Sequence, residues 1–295
     1  MLAVAGPATA ADPGLTVLPF LEIGVGARSA ALGGAYVSLA SDATATYWNP
    51  AGLLGIKRND ILGVHNAWIQ DLRQEFIGVG MHRGRHAFGL SFVGMYTGDI
   101  EGRDDTGALD GSFGFSDNAF SLSYAFQAAK TLGLGGTVRY VRESVIGAAE
   151  GDFSLSGFSF DLGADWQTPL RGVKMAAAFR NLGGQLSYNF DGAKSFDLPS
   201  SLQAGVSYQM QNQTGGFTVS GDLLATKGQD VSPRAGVEYA YRGQFRLGAG
   251  YRGGLDNENI SFGLGYTNKV NVYYAYLPIS SDLGSSHRIS LGYSW

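Results

Sequence analysis

The chain has no cysteine among its 295 residues, which excludes disulfides and thiolate metal centres. Histidine is scarce: His65, His82, His86 and His287 are the only four, and none sits in a HExxH or similar site. No stretch approaches the 18 apolar residues that would mark a membrane-spanning helix. Positive charge is not in excess either. With 21 Lys and Arg against 25 Asp and Glu, the net charge is -4, which offers nucleic acid no basic surface. Proline is limited to eight and hydrophobic residues reach 44%, so the chain is not a disordered Pro/Gly-rich one. No hydrolase elbow occurs. Gly-Val-Gly at 24–26 lacks a strand–helix context, and Gly-Leu-Gly-Gly at 133–136 falls inside a strand pattern. Together these absences argue against an enzyme, and neither a cofactor nor a metal is expected.

What the chain does have is 45 Gly, 17 Phe, 15 Tyr and 4 Trp. Small residues combined with amphipathic rings suit close-packed strands that meet an interface. Residues 1–11 read as the remnant of a signal peptide or a flexible terminus, with Ala8-Thr9-Ala10 resembling a cleavage site. Residues 12–58 read as an N-terminal arm and plug. The part from Glu22 to Arg58 is too irregular for a strand: Asp42 can cap a short helical turn, Pro50 restricts Asn49, and Gly33, Gly34 and Gly52 break the pattern.

From residue 59 to 295 the period becomes two. Phe158, Phe160, Leu162, Ala164 and Trp166 share one face, and Ser159, Asp161, Gly163, Asp165 and Gln167 share the other. Ile289, Leu291, Tyr293 and Trp295 likewise oppose Arg288, Ser290, Gly292 and Ser294. Strands are expected at 60–68, 75–83, 86–97, 118–126, 131–142, 156–167, 172–181, 201–209, 216–224, 232–241, 244–252, 258–267, 269–276 and 286–295. Most run nine to twelve residues, the length of a tilted membrane-crossing strand rather than of a soluble one. Short turns alternate with long connections, the longest being 98–117 and 182–200. That asymmetry defines an all-β fold, a transmembrane antiparallel β-barrel of about 14 strands with both termini periplasmic and the long loops outside. Closure leaves no edge unsatisfied in lipid.

In such a barrel the apolar face meets outer-membrane lipid and the polar face lines the lumen. The inward charges would be the basic Arg139, Lys174, Arg180, Arg234, Arg246, Arg252 and Arg288 and the acidic Asp161, Asp165, Asp222 and Glu238. They are expected to pair with one another or with the plug, the alternative being a pathway of weak positive potential. Asp161 and Asp165 stand about 13 Å apart along one strand face, too wide for a catalytic pair. Asp99, Asp104, Asp105 and Asp110 read as a solvated acidic loop rather than a cation site. Tyr188, Phe190, Phe196 and Leu198 form an aromatic outer loop, either a contact site for a hydrophobic ligand or protein partner or a loop folded over its own apolar contacts.

"GARSAALGGAYVSLASDATATYWNPAGL" at 26–53 resembles the PorV/PorQ family of outer-membrane proteins, relatives of the FadL long-chain fatty acid transporter. "VRYVRES" at 138–144, "FDLGADWQTP" at 160–169, "FRNLGG" at 179–184, "LPSSLQAGVSY" at 198–208 and "YAYLPISSDLGSSHRISLGYSW" at 274–295 extend the resemblance over most of the chain. It implies that Asp42, Asn49, Pro50, Ala51 and Gly52 belong to the plug. It also implies that the terminal aromatics Tyr293 and Trp295 are read by the outer-membrane assembly machinery. Three functions follow as expectations: secretion or surface-complex assembly through loops that bind a secreted or surface protein, a plugged channel for hydrophobic small molecules such as fatty acids, or a structural anchor for a surface complex.

Overall fold

The alternation of apolar and polar residues places one face of each strand against lipid and the other against a filled interior. The computed structural model describes residues 16–68, 72–98, 100–103, 106–147, 151–254, 259–279 and 284–295. The signal-peptide remnant expected at 1–11 lies outside these residues. Fourteen strands close into a ring: β1 (Asp60–Ala67), β2 (Arg73–Arg83), β3 (His86–Tyr96), β4 (Leu109–Ala129), β5 (Leu132–Ile146), β6 (Phe153–Gln167), β7 (Val173–Leu182), β8 (Ser201–Gln211), β9 (Gly215–Thr226), β10 (Ser232–Tyr241), β11 (Phe245–Arg252), β12 (Ile260–Thr267), β13 (Val270–Pro278) and β14 (Ser285–Ser294). Each pairs antiparallel with its neighbours in the chain. β14 returns to β1, from Asp60↔Ser294 to Ala67↔His287, and closes the barrel.

All short turns lie at the end that holds Asn59 and the C-terminus, where the Trp295 amide donates to the Asn59 carbonyl at 3.0 Å. The long connections lie at the other end. Along β14, Arg288 and Ser290 are buried while Ile289 and Leu291 are half exposed. The same alternation leaves Phe158, Leu162, Leu247 and Leu264 on the outer wall. An apolar belt of this kind is what the hydrocarbon layer requires. Among the described residues no helix is long and apolar enough to cross a membrane.

The strand expectations differ from the structure mainly at 98–117, read above as loop. β4 is 21 residues long, about 70 Å at the rise of a strand and far beyond a membrane crossing. Its partner β3 ends at the Tyr96↔Ser116 pair. Residues 109–115 therefore stand beyond that edge, where they pair with β5 and with the short strand Ile100–Arg103. The alternation there sets Gly and Ser against Phe113 and Phe115, a weak signal for a strand outside lipid. A second small hairpin, Leu186–Ser187 with Ser195–Phe196, folds within the loop between β7 and β8.

Candidate functional site

Residues 16–58 thread the barrel from the long-loop end to the short-turn end. Thr16 bridges Asp197, and the Val17 amide donates to the Asp197 carbonyl at 3.1 Å. Asp197 belongs to the long connection between β7 and β8, so the described N-terminal residues and Trp295 lie at opposite ends. The expectation of a periplasmic N-terminus falls on residues 1–15, which lie outside the described residues. Leu18 and Phe20 are fully buried. Further on, the helix Ala27–Ala31 packs small side chains against β12 and β13. A tight contact between two glycines follows. A Cβ on Gly250 of β11 would come within 2.0 Å of the Gly33 amide nitrogen, and Gly33 itself has φ +62. Only glycine on both sides lets segment and wall backbones touch.

The segment folds on itself as well as on the wall. Its aromatic side chains point their polar atoms at their own backbone: Trp48 Nε1 donates to the Val25 carbonyl at 2.8 Å and the Tyr47 hydroxyl to the Leu21 carbonyl at 2.7 Å. Asp42 accepts from the Thr44 amide at 2.9 Å and also binds the Thr44 hydroxyl, just ahead of the helix Ala45–Trp48. Asn49 is extended (φ -166, ψ 105), as a residue before proline should be. Its side chain is fully buried. Nδ2 donates to the carbonyls of Val37 at 3.1 Å and of Ala164, on β6, at 3.2 Å, while Oδ1 accepts from the Ala51 amide at 3.1 Å. Pro50, Ala51 and Gly52 then form a buried 3-10 turn (Pro50–Gly55) against β4, β5 and β6.

Wall charges hold the segment at several heights. Arg28 forms a two-pronged pair with Glu238, Nε at 2.9 Å and Nη2 at 2.8 Å. Glu238 also accepts from Arg246 at 2.6 Å and from the Tyr273 hydroxyl at 2.9 Å. Burial, followed by the nearby Asp42 carboxylate, pushes the neighbouring Tyr36 phenol well up from its ordinary value. Higher in the barrel, Asp222 accepts from the Val37 amide at 3.0 Å and from Gln203 at 2.7 Å, and Gln203 also donates to the Gly34 carbonyl. Arg288 donates to the carbonyls of Gly24 and Ile23. Two further pairs stay within the wall: Arg139 with Asp161 at 2.6 Å, both buried, and Lys174 with Asp165 at 3.0 Å.

Of the seven basic residues expected in the lumen, four, Arg139, Lys174, Arg246 and Arg288, have a partner that an ion pair or a segment carbonyl supplies. Arg180 and Arg234 differ. Arg180 Nη2 binds the neutral Gln203 at 2.9 Å, and its guanidinium lies 5.3 Å from the ring centroids of Tyr47 and Trp48. Arg234 lies against Gly34, where an added Cβ would be 2.5 Å from Nη1. Neither forms an ion pair among the described residues.

The segment leaves a cavity on each side of itself. One of about 440 Å³ opens toward the short-turn end and is lined by Arg28, Asp42, Lys57, Arg246, Asn271 and Tyr273. The other, about 480 Å³, lies toward the long loops, between Leu21, Ile23, Trp68 and Leu224 on one hand and Glu22, Arg180, Arg234, Arg252 and Arg288 on the other. Burial raises the Glu22 carboxyl, while its hydrogen bond from Gln229 and the charges of Arg180 and Arg234 pull it back down. Gln203, Tyr273 and Glu22 were not among the sequence candidates. Gln203 and Tyr273 occupy inward strand positions that periodicity identifies, but only the threading of the segment gives them a partner.

At the long-loop end, Tyr188 stacks on Phe190, packs edge-on to Phe153 and Phe196, and donates to Glu143 at 2.5 Å. Burial, then Glu143, pushes the Tyr188 phenol upward. Phe190 is 53% exposed and Phe196 partly so. Leu198 is corrected as an outer contact: it is only 3% exposed and joins the core of Val17, Leu18 and Phe20, because the neighbouring Asp197 backbone is tied to the segment. Asp99, Asp104, Asp105 and the side chain of Asp110 lie outside the described residues. No group of three or more His, Cys, Asp or Glu able to hold a metal occurs among the described ones. Tyr293 and Trp295 stack at 6.1 Å on the outer face of the last strand.

This arrangement defines the class: a closed fourteen-stranded barrel of outer-membrane type, with the fold of FadL-related transporters. The toluene transporter TodX of P. putida is similar over 92% of this chain and 99% of its own, at 14% identity and a TM-score of 0.64. The toluene transporter TbuX of Ralstonia pickettii covers 92% and 98% at 14% identity and a TM-score of 0.62. A FadL homologue of Pseudomonas aeruginosa covers 90% and 96% at 14% identity and a TM-score of 0.56. At such identities the likeness is one of fold. Residues 11–154 match the model of an uncharacterised protein family, UPF0164. No protein of curated function matches the sequence.

Proposed function

We propose that the protein is a plugged outer-membrane channel for hydrophobic small molecules, with residues 16–58 as the plug. The observation that carries this reading is a lumen filled by one self-folded segment with a cavity on either side of it. A barrel that served only as an anchor needs no such cavities. The fold shared with the toluene transporters TbuX and TodX supports the same reading. A ligand would enter at the long-loop cavity, and a shift of the segment would join that space to the cavity below. Asn49 and Pro50 form the corner at which the segment turns along the wall.

Entry of the hydrophobic dye N-phenylnaphthylamine into intact cells tests the reading. Cells that carry the barrel in their outer membrane should take up dye faster than cells without it. No acceleration with correctly inserted protein would reject transport. In planar bilayers the wild type should be closed and Asn49→Ala/Pro50→Ala leaky. A large, steady wild-type conductance would reject the plug.

A second reading is attachment of a secreted or surface protein, the role that the PorV/PorQ resemblance implies. The exposed Phe190, with Leu109 and Ile146 on the strands that rise beyond the rim, favours it. Deleting 186–196 would abolish such attachment and leave dye entry unchanged.

A further inference from the structure

The upper cavity joins an apolar wall to buried guanidinium groups. Leu21, Trp68 and Leu224 line one side, and Arg180 and Arg234 the other. Arg180 is 6% exposed, and its Nε, like that of Arg234, has no hydrogen-bond partner. Two carboxylates stand near, Asp222 and Glu22, and neither forms an ion pair with them. Asp222 Oδ2 accepts from the Val37 amide and Gln203, and Glu22 accepts from Gln229 at 2.7 Å. Arg252 and Arg288 add positive charge to the same space, whatever else they bind. Buried guanidiniums that outnumber the one carboxylate in the cavity lining and form no ion pair with it are costly to hold, so this cavity is built for an anion that comes and goes.

The shape of the donor set points to the kind of anion. A carboxylate offers its acceptors in one plane and carries a single negative charge. Here two guanidiniums from β7 and β10 border one cavity from separate strands. A phosphoryl group has three acceptor oxygens pointing in different directions and a second negative charge, and so can take donors from both. The apolar wall beside them accommodates a hydrocarbon tail. We propose that the upper cavity binds an amphiphile with a phosphoryl headgroup, the oxygens on Arg180 and Arg234 and the tail along Leu21, Trp68 and Leu224. The inference rests on the channel reading and narrows the substrate to this class.

Calorimetric titration of the purified full-length protein in a maltoside detergent tests it, with dodecyl phosphate, dodecanoate, dodecanol and inorganic phosphate as probes. Dodecyl phosphate should bind about tenfold or more tightly than dodecanoate. Arg180→Gln and Arg234→Gln should each remove most of that preference without affecting dodecanol. Glu22→Gln takes away the nearest repelling carboxylate and should tighten dodecyl phosphate, a gain that a misfolded barrel cannot produce. Equal affinity for phosphate and carboxylate, an unchanged preference in both Gln variants, or no tightening in Glu22→Gln would overturn the proposal. Inorganic phosphate binding as tightly as dodecyl phosphate would overturn the amphiphile and leave a simple ion pocket. Dodecanol binding without a phosphate preference would leave the channel reading intact and reject this inference alone. Failure of every probe to bind would count against both.

Discussion

Arg28 Nη2 lies 2.8 Å from Glu238 Oε1, joining the N-terminal segment to a wall strand 210 residues later in the chain. Glu238 is 2% exposed and also serves Arg246 and Tyr273. Removing one member of a buried pair strands the other, at a cost of about 3–5 kcal/mol. Glu238→Ala should therefore loosen the segment. The expected outcome is a raised single-channel conductance with the barrel still heat-modifiable on gels. Wild-type closure in this variant would show that Arg28 and Glu238 do not hold the segment.

Arg139 and Asp161 give the opposite expectation. Their pair at 2.6 Å lies wholly within the wall, with Ser121 and Asn181 as further partners. Asp161→Ala should lower stability by about 3–5 kcal/mol in urea unfolding and leave conductance unchanged. Arg139→Met/Asp161→Leu should recover much of that loss, because apolar replacement removes both buried charges together.

Glycines on the wall set how closely the segment can sit. A Cβ on Gly163 would be 2.1 Å from Asn49 Oδ1 and 2.9 Å from Pro50 Cδ. Gly163→Ala should push the corner off the wall and increase dye entry. Gly184→Ala, with nothing within 4 Å of the added carbon, should not. Equal entry in the two variants would rule out the fit at Asn49 as a gate.

Topology can be read by labelling intact cells. A cysteine at Ala108, in the hairpin leading into β4, should react with an impermeant maleimide, while one at Lys130, in the turn between β4 and β5, should not. Equal labelling would reject the assigned orientation.

The period-two pattern made the wall legible in the sequence. Strand faces alternate strictly, so Phe158 against Ser159, or Ile289 against Arg288, already tells outside from inside. The expected fourteen strands coincide with the observed ones to within a few residues, apart from the outer part of β4, where no lipid enforces the alternation. Pro50 likewise fixed the backbone of Asn49 locally. What the sequence could not convey is pairing across the lumen. Arg28 with Glu238, Gly33 against Gly250 and Gln203 with Gly34 depend on how an irregular segment threads a closed ring, and no periodicity encodes that. The same holds for Leu198, which alternation and a loop position present as exposed, and which the bridge from Thr16 to Asp197 draws inward. Local chemistry determined the barrel, because every strand must satisfy lipid on one face. Only the tertiary structure decided how the segment meets the interior, because Arg28, Asp222 and Arg288 find partners distant in the chain, and it left Arg180 and Arg234 beside a cavity with no ion pair of their own.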